Sequence, residues 1–229
     1  RYNARIALKN AQHLVRERVD LVIEFQTDEA IAPEIAARYR KADIPVIAID
    51  IPHPGTTYFG ANNYEAGLIA GRCLGRWARD HWNGRVDEIL LVDIVRAGAL
   101  PAARTRGVVA GIREILRNEI APVITVDGDG QFRTAMQRVR HYLRGSRATH
   151  VLVGAANDPS ALGAARAFQE AGRAGSCAIA GQNAEPDARA ELREPRSPLI
   201  GSVAYFPEKY GEGLVRLALD ILSHRRVPP

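Results

Sequence analysis

No apolar run in this 229-residue chain approaches the roughly 20 residues that a membrane-crossing helix needs. No basic-then-apolar leader stands at the front; the sequence passes directly from Arg1-Tyr2-Asn3 into a helical pattern, so any signal peptide lies outside these residues. Cysteine is scarce. Cys73 and Cys177 are far apart, without a Cys-x-x-Cys pair or a Cys/His cluster, and two buried free thiols are the default. Lysine is nearly absent too, so the net charge of +5 is carried by arginine. A nucleic-acid surface needs those arginines clustered. The densest group, Arg138, Arg140, Arg144 and Arg147, runs along and just past one short helix and reads as a solvated face.

The signatures of catalysis are missing as well. There is no Gly-x-x-x-x-Gly-Lys-Ser/Thr phosphate loop, no Gly-x-Gly-x-x-Gly after a strand and no Gly-x-Ser-x-Gly elbow. His13, His53, His81, His141, His150 and His224 are scattered, with no His-Glu-x-x-His pair for zinc. Asp127-Gly128-Asp129-Gly130 has too few oxygen ligands for a calcium loop and reads as a turn. No enzyme, metal or cofactor is expected.

What is present is alternation. Short apolar runs at residues 19–25, 44–50, 88–95, 122–127, 150–153, 177–180 and 199–204 read as buried strands. Helical spacing fills the gaps. Leu8, Ala11, Leu14 and Val15 precede the first run, and Ile31, Ile35, Ala36 and Tyr39 follow it, with Thr27 or Asp28 as N-cap. Further helices are expected at 64–81, 102–117, 132–144, 159–171 and 207–222, while Ile51-Pro52-His53-Pro54-Gly55 can only be loop. This order predicts an α/β fold with parallel sheets built from crossover connections. Trp77 and Trp82, five apart on one helix, read as packing residues.

Polar residues recur at the carboxyl ends of these runs: Glu24 and Gln26, Asp50, Asn157-Asp158, and Gln182-Asn183. Open parallel sheets bind ligands beyond those ends. Any one of the residues can be explained as a cap or loop exit; their repetition at four strand ends is what points to a binding site.

Five stretches in order then resemble the type I periplasmic binding proteins, most of all the ribose-binding branch. They are residues 19–50 ending in Ile44-Pro45-Val46-Ile47-Ala48-Ile49-Asp50, Gly60-Ala61-Asn62-Asn63-Tyr64-Glu65-Ala66-Gly67, and Ala103-Arg104-Thr105-Arg106-Gly107. Asn157-Asp158-Pro159-Ser160-Ala161-Leu162-Gly163-Ala164 with Phe168-Gln169-Glu170-Ala171-Gly172, and Ala204-Tyr205-Phe206-Pro207-Glu208-Lys209-Tyr210-Gly211, complete the set. The same fold supplies the ligand domain of lactose-repressor-type regulators. The resemblance implies two Rossmann-like lobes joined by hinge crossovers and trimmed at both ends. Lobe 1 would be residues 1–61 plus 205–229, lacking its first strands, and lobe 2 residues 62–204.

By the same resemblance, Asp50 accepts from ligand hydroxyls and Arg104 donates to ring or hydroxyl oxygens. Asn157 and Asn183 contact hydroxyls, Phe132 stacks on a sugar face, and Glu24, Asn62 and Tyr205 match contact or hinge-adjacent positions. Vicinal hydroxyls suit such amides, carboxylates and guanidinium forks, and a ring suits the apolar face of a sugar. Departures from the ribose-binding pattern are Ile51 for an arginine, Asn183 and Asn62 for aspartates, and Tyr205 for a glutamine. They imply a ligand other than ribose, or one with its own charge. Two roles follow. One is the solute-binding component of an ABC-type sugar importer, monomeric, periplasmic or membrane-anchored outside the cell, and partnered by a permease. The alternative is the sensor of a cytoplasmic transcription regulator, dimeric and joined to DNA through an upstream domain.

Overall fold

The computed structural model describes residues 3–26, 28, 30–117 and 121–224. The chain divides into two compact units: unit 1 is residues 1–61 with 206–229, and unit 2 is residues 62–205. Each unit holds one sheet, and every strand pairing in both is parallel. The predicted α/β class with parallel sheets is what the chain adopts.

In unit 1, α1 (Ala4–Glu17), β1 (Val22–Glu24), α2 (Ala32–Lys41), β2 (Val46–Ile49) and β3 (Thr57–Phe59) precede the crossing to unit 2. The sheet order is β1-β2-β3. Ala11 of α1, Ile35 and Tyr39 of α2, and Val22 and Val46 of the strands form one core. The strand period of two then sends Ile23 and Phe25 to the opposite face, where both are exposed. Asp28 does not cap α2. Its carboxylate accepts the Ala30 N–H at 3.0 Å, and Ile31 occupies the cap position without a side-chain bond; Thr27 lies outside the described residues. The three-residue strand β3 was not expected from the sequence.

Unit 2 carries α3 (Asn63–Trp82), β4 (Glu88–Asp93), α4 (Ala99–Leu116), β5 (Val123–Asp127), α5 (Phe132–Gly145), β6 (Val151–Ala155) and α6 (Asp158–Glu170). β7 (Cys177–Asn183), α7 (Pro186–Glu191) and β8 (Leu199–Ala204) complete it; α7 is a second element absent from the expectation. The order β5-β4-β6-β7-β8 places the first strand of the unit inside the sheet, with its successor on one side and the third on the other. This is a doubly wound sheet whose topological switch point lies between β4 and β6.

Both faces are covered. Ile89, Leu91, Leu152, Ala178 and Ala180 pack on α3 and α4. The alternate residues Leu90, Val92, Val151, Val153 and Ile179 pack on α5 and α6. Such two-sided burial explains why these strands read as unbroken apolar runs. α3 and α4 touch backbone to backbone. A Cβ on Gly67 or Gly71 would come within 2.1 Å of the Arg104 or Val108 carbonyl oxygen, and one on Gly107 within 2.3 Å of the Tyr64 carbonyl oxygen. Trp77 and Trp82 pack edge-on against each other, 4.6 Å between ring centroids, and border the same core as expected. In unit 1 again, α8 (Tyr210–Leu222) follows a short 3-10 turn at Pro207–Lys209, so the helix expected from residue 207 starts one turn later.

Candidate functional site

Left-handed non-glycine backbone occurs just past several strands as well as at helix ends. Asp50 after β2 has φ 58°, Asp129 after β5 has φ 53°, Asn183 and Ala184 at the end of β7 have φ 106° and 54°, and Phe206 after β8 has φ 53°. Left-handed backbone costs a non-glycine residue on the order of 1 kcal/mol or more. These instances fall on the rims that the polar pattern singled out, whereas Arg18, Asp43, Asn83, Arg117 and His224, also left-handed, close helices.

In unit 1, Asp50 is held from two sides. Its N–H donates to the Phe59 carbonyl at 3.0 Å, and its Oδ1 accepts from the Tyr210 hydroxyl at 3.2 Å. Gly60 lies so close that an added Cβ would sit 2.7 Å from both Asp50 Oδ1 and the Tyr58 hydroxyl. Glycine is therefore required there by packing. Glu24 ends β1. Its Oε2 is buried with no hydrogen-bond partner among the described residues. That burial pushes its carboxyl up from 4.5 to about 7. Tyr39 is raised to about 12 by burial first and by the nearby Glu24 charge second. His53, in the loop after β2, is buried, and burial holds it below the usual imidazole value against a smaller opposing effect of the Gln26 backbone.

In unit 2 the polar groups gather at the switch point. Arg104, in the first half of α4, donates from Nε to Asn63 Oδ1 at 2.6 Å and from Nη1 to the Ala156 carbonyl, just past β6, at 2.9 Å. The face of the Tyr205 ring lies 4.8 Å from its guanidinium carbon. Beside it, the Thr105 hydroxyl lies 3.1 Å from Asp93 Oδ2 at the end of β4. Among the described residues no carboxylate is within ion-pair distance of Arg104. The groups in contact with the guanidinium are an amide oxygen, a backbone carbonyl and an aromatic ring, all of them neutral. The backbone contact between α3 and α4 is what places Asn63 and Arg104 side by side.

The other candidates have internal duties. Asn157 caps α6, accepting the Ser160 N–H at 3.0 Å, and its amide donates to the Gly130 carbonyl at 3.0 Å. Asn62 caps α3 through the Glu65 N–H at 3.1 Å. Asn183 donates to Glu185 Oε1 at 3.0 Å. Phe132 opens α5 with a largely exposed side chain, beyond the end of β5. Asp158, next to Asn157, is fully buried and accepts from the Ser202 hydroxyl at 2.6 Å and the Glu185 N–H at 2.7 Å, so it is an internal strut. Asp127-Gly128-Asp129-Gly130 is a turn, with Asp127 Oδ1 accepting the Asp129 N–H at 2.9 Å. No group of three potential metal ligands exists among the described residues.

Arg104 and Tyr205 are thus brought into direct contact, and Asn157 sits one residue past Arg104's partner Ala156. Glu24 and Asp50 end neighbouring strands of unit 1. The sequence reading missed two supports, Asn63, buried beside Arg104, and Tyr210, the partner of Asp50, and it noted Gln182 as a strand-end polar residue without foreseeing that it is fully buried. The Asn62-Asn63 doublet was the available signal for the first, since one cap needs only one asparagine. A cavity of about 360 Å³ among Arg40, Asp43, Val46, Thr56 and Ile221 lies at the amino end of β2, away from Asp50, and belongs to none of this.

Among known proteins, a family model described as a periplasmic binding protein domain matches residues 1–226. The ribose import binding protein of Salmonella typhimurium is 24% identical over 223 residues, covering 96% of this chain and 71% of that protein. Two solved structures share the fold. An ABC transporter solute binding protein from Agrobacterium vitis with bound allitol superposes with TM-score 0.84 at 19% identity, over 99% of this chain and 77% of that one. A periplasmic solute binding protein from Actinobacillus succinogenes with bound D-allose gives TM-score 0.78 at 19% identity, over 96% and 78%.

Proposed function

The chain belongs to the periplasmic binding protein family, and from that premise we propose that it binds a sugar or related polyol, without turnover, as the solute-binding component of an ABC-type importer in the periplasm. Membrane permease and sugar are its partners under this reading. The observation that carries it is Arg104: a cation at the switch point of a doubly wound sheet, anchored by neutral groups and lacking an ion-pair partner among the described residues. The ribose import binding protein and the solute binding proteins with bound allitol and D-allose favour the importer role over the regulator.

Asp50 and Glu24 serve as hydroxyl acceptors, and Arg104 as the donor fork. Asn157, Asn183 and Asn62 offer the amide positions left over from their capping and bridging bonds, and Phe132 an apolar ring. Tyr205 joins the set through its contact with Arg104. Charged hydrogen bonds of this kind contribute about 1.5–3 kcal/mol each.

The experiment is a thermal-shift screen with D-ribose, D-allose and allitol among a panel of sugars and polyols, followed by calorimetry. A ligand at a hundredfold excess over Kd adds about 2.7 kcal/mol, or roughly 5–10 °C for a chain of this size. Arg104→Ala and Asp50→Asn should each weaken binding by roughly 10- to 100-fold with unchanged circular dichroism. Asparagine is chosen because it tolerates the left-handed backbone at position 50. A panel that leaves the melting temperature unmoved refutes the reading.

A further inference from the structure

A closed circuit of contacts begins and ends in the first turns of α3. Asn63 accepts from Arg104 Nε at 2.6 Å, and the Tyr205 ring backs the Arg104 guanidinium at 4.8 Å. The Tyr205 hydroxyl donates to Gln182 Oε1 at 2.7 Å, and Gln182 Nε2 lies 3.4 Å from the Ala66 carbonyl of α3. Four elements are tied together: α3, α4, β7 and the segment leaving β8. We infer that Tyr205 and Gln182 are positioning residues, which fix the Arg104 guanidinium for ligand, and that Tyr205 serves the site through Arg104 rather than by touching the ligand.

The chemistry follows from what each group has already committed. An arginine side chain loses close to 2 kcal/mol of rotamer freedom when it is fixed, so an arginine meant to meet a ligand is best fixed in advance. Of its five N–H groups, two are engaged by Asn63 and Ala156, which orients the plane of the fork and leaves donors for a guest. The Tyr205 ring closes one face of that plane, and cation–π attraction holds it there. Its hydroxyl proton is spent on Gln182. Gln182 in turn is a fully buried amide that follows five apolar or small residues in its strand, a costly placement unless its partners are fixed. Its two partners are the tyrosine that backs Arg104 and the helix that bears Asn63. Tyr205 is also the last residue of unit 2 before the chain passes to unit 1 at Phe206, where φ is 53°.

The inference rests on Arg104 being a ligand contact, and the test separates the two ideas. The first arm needs no ligand. In nitrogen-15 spectra of the full chain, the Arg104 Nε–H signal, assigned by its disappearance in Arg104→Lys, should exchange slowly with solvent. Tyr205→Leu and Gln182→Leu should accelerate that exchange by about tenfold or average the signal away, whereas Tyr205→Phe, which keeps the ring, should fall between. Circular dichroism verifies folding, and Tyr205→Phe remains informative if Gln182→Leu fails to fold. Unchanged exchange in Tyr205→Leu overturns the inference.

The second arm is a double-mutant cycle in calorimetry with whichever of D-ribose, D-allose or allitol binds. Tyr205→Leu should weaken binding about fivefold in the native background, the scale of one cation–π contact, and less than twofold beside Arg104→Lys. Equal weakening in both backgrounds means that Tyr205 touches the ligand and overturns the inference. If no sugar or polyol binds the native protein, the receptor reading fails, and the exchange arm still decides the positioning role.

Discussion

Replacing Glu24 by glutamine should flatten the pH dependence of stability and raise it above neutrality. The carboxyl of Glu24 ends β1 with Oε2 buried and unpartnered, and burial lifts it from 4.5 to about 7. Between those values the folded chain holds a proton that the unfolded chain has released. Bound protons then favour the native state, so stability falls as pH rises from about 4.5 through 7 and is level above. At 1.36 kcal/mol per pH unit the span sets an upper bound of ~3.4 kcal/mol. Glu24 is only partly buried, and water screening reduces this to ~1–2 kcal/mol. For a chain of this size that is a melting difference of about 3–6 °C. Glutamine mimics the protonated acid, so Glu24→Gln and native protein should melt together at pH 4.5 and diverge by that amount at pH 8, with the variant higher. Taking the difference between the two proteins cancels every other titration, including that of His53. A difference that does not change with pH, or a variant that melts lower at pH 8, refutes the argument. A ligand hydroxyl donating to Glu24 would also favour its charged form. Binding at pH 7 should therefore release a proton, seen as calorimetric heats that change with the ionisation enthalpy of the buffer, and Glu24→Gln should abolish that dependence.

Gly67→Ala sets a methyl group 2.1 Å from the Arg104 carbonyl oxygen, so α3 and α4 must part; a loss of about 1–3 kcal/mol is expected in urea titration, with weaker ligand binding because Arg104 moves. Gly175→Ala, where an added Cβ meets nothing within 4 Å, is the control and should leave stability level or slightly raised. Asp158→Ala orphans the Ser202 hydroxyl and the Glu185 N–H and should cost about 2–4 kcal/mol, while Asp158→Asn, which still accepts, should cost less than half of that; equal losses would deny the strut role.

The architecture was legible because β4, β6 and β7 are buried on two faces, which makes each a short apolar run bounded by turn residues and separated by stretches of helical spacing. β3 and α7 were not legible for the opposite reason. Thr57-Tyr58-Phe59 is a half-buried triplet beside a Pro/Gly loop, and Pro186–Glu191 is a single polar turn and a half, both too short for a period to show. The far end of β7 was hidden too. The apolar run stops at Ala180, but the strand continues through Gly181 and Gln182 to Asn183. A glutamine there reads as a loop residue until its two partners, 23 and 116 residues away in sequence, are known.

The candidate site was legible in the same partial way, and the reason is physical. Sequence placed polar residues at strand ends but could not say which polar atoms are already satisfied. Asp158 and Asn157 are adjacent and equally polar, yet Asp158 is fully buried in bonds to Ser202 and Glu185, whereas Asn157 spends its oxygen on a cap and one N–H on Gly130. Arg104 and Arg140 are both arginines of amphipathic helices. Arg140 is spent on Glu170 at the surface, while Arg104 meets only neutral groups. What separates a strut from a candidate binding group is thus the balance of donors and acceptors around it. That balance is set by parts of the chain far apart in sequence, which meet only once the α3–α4 glycines let the two helices touch.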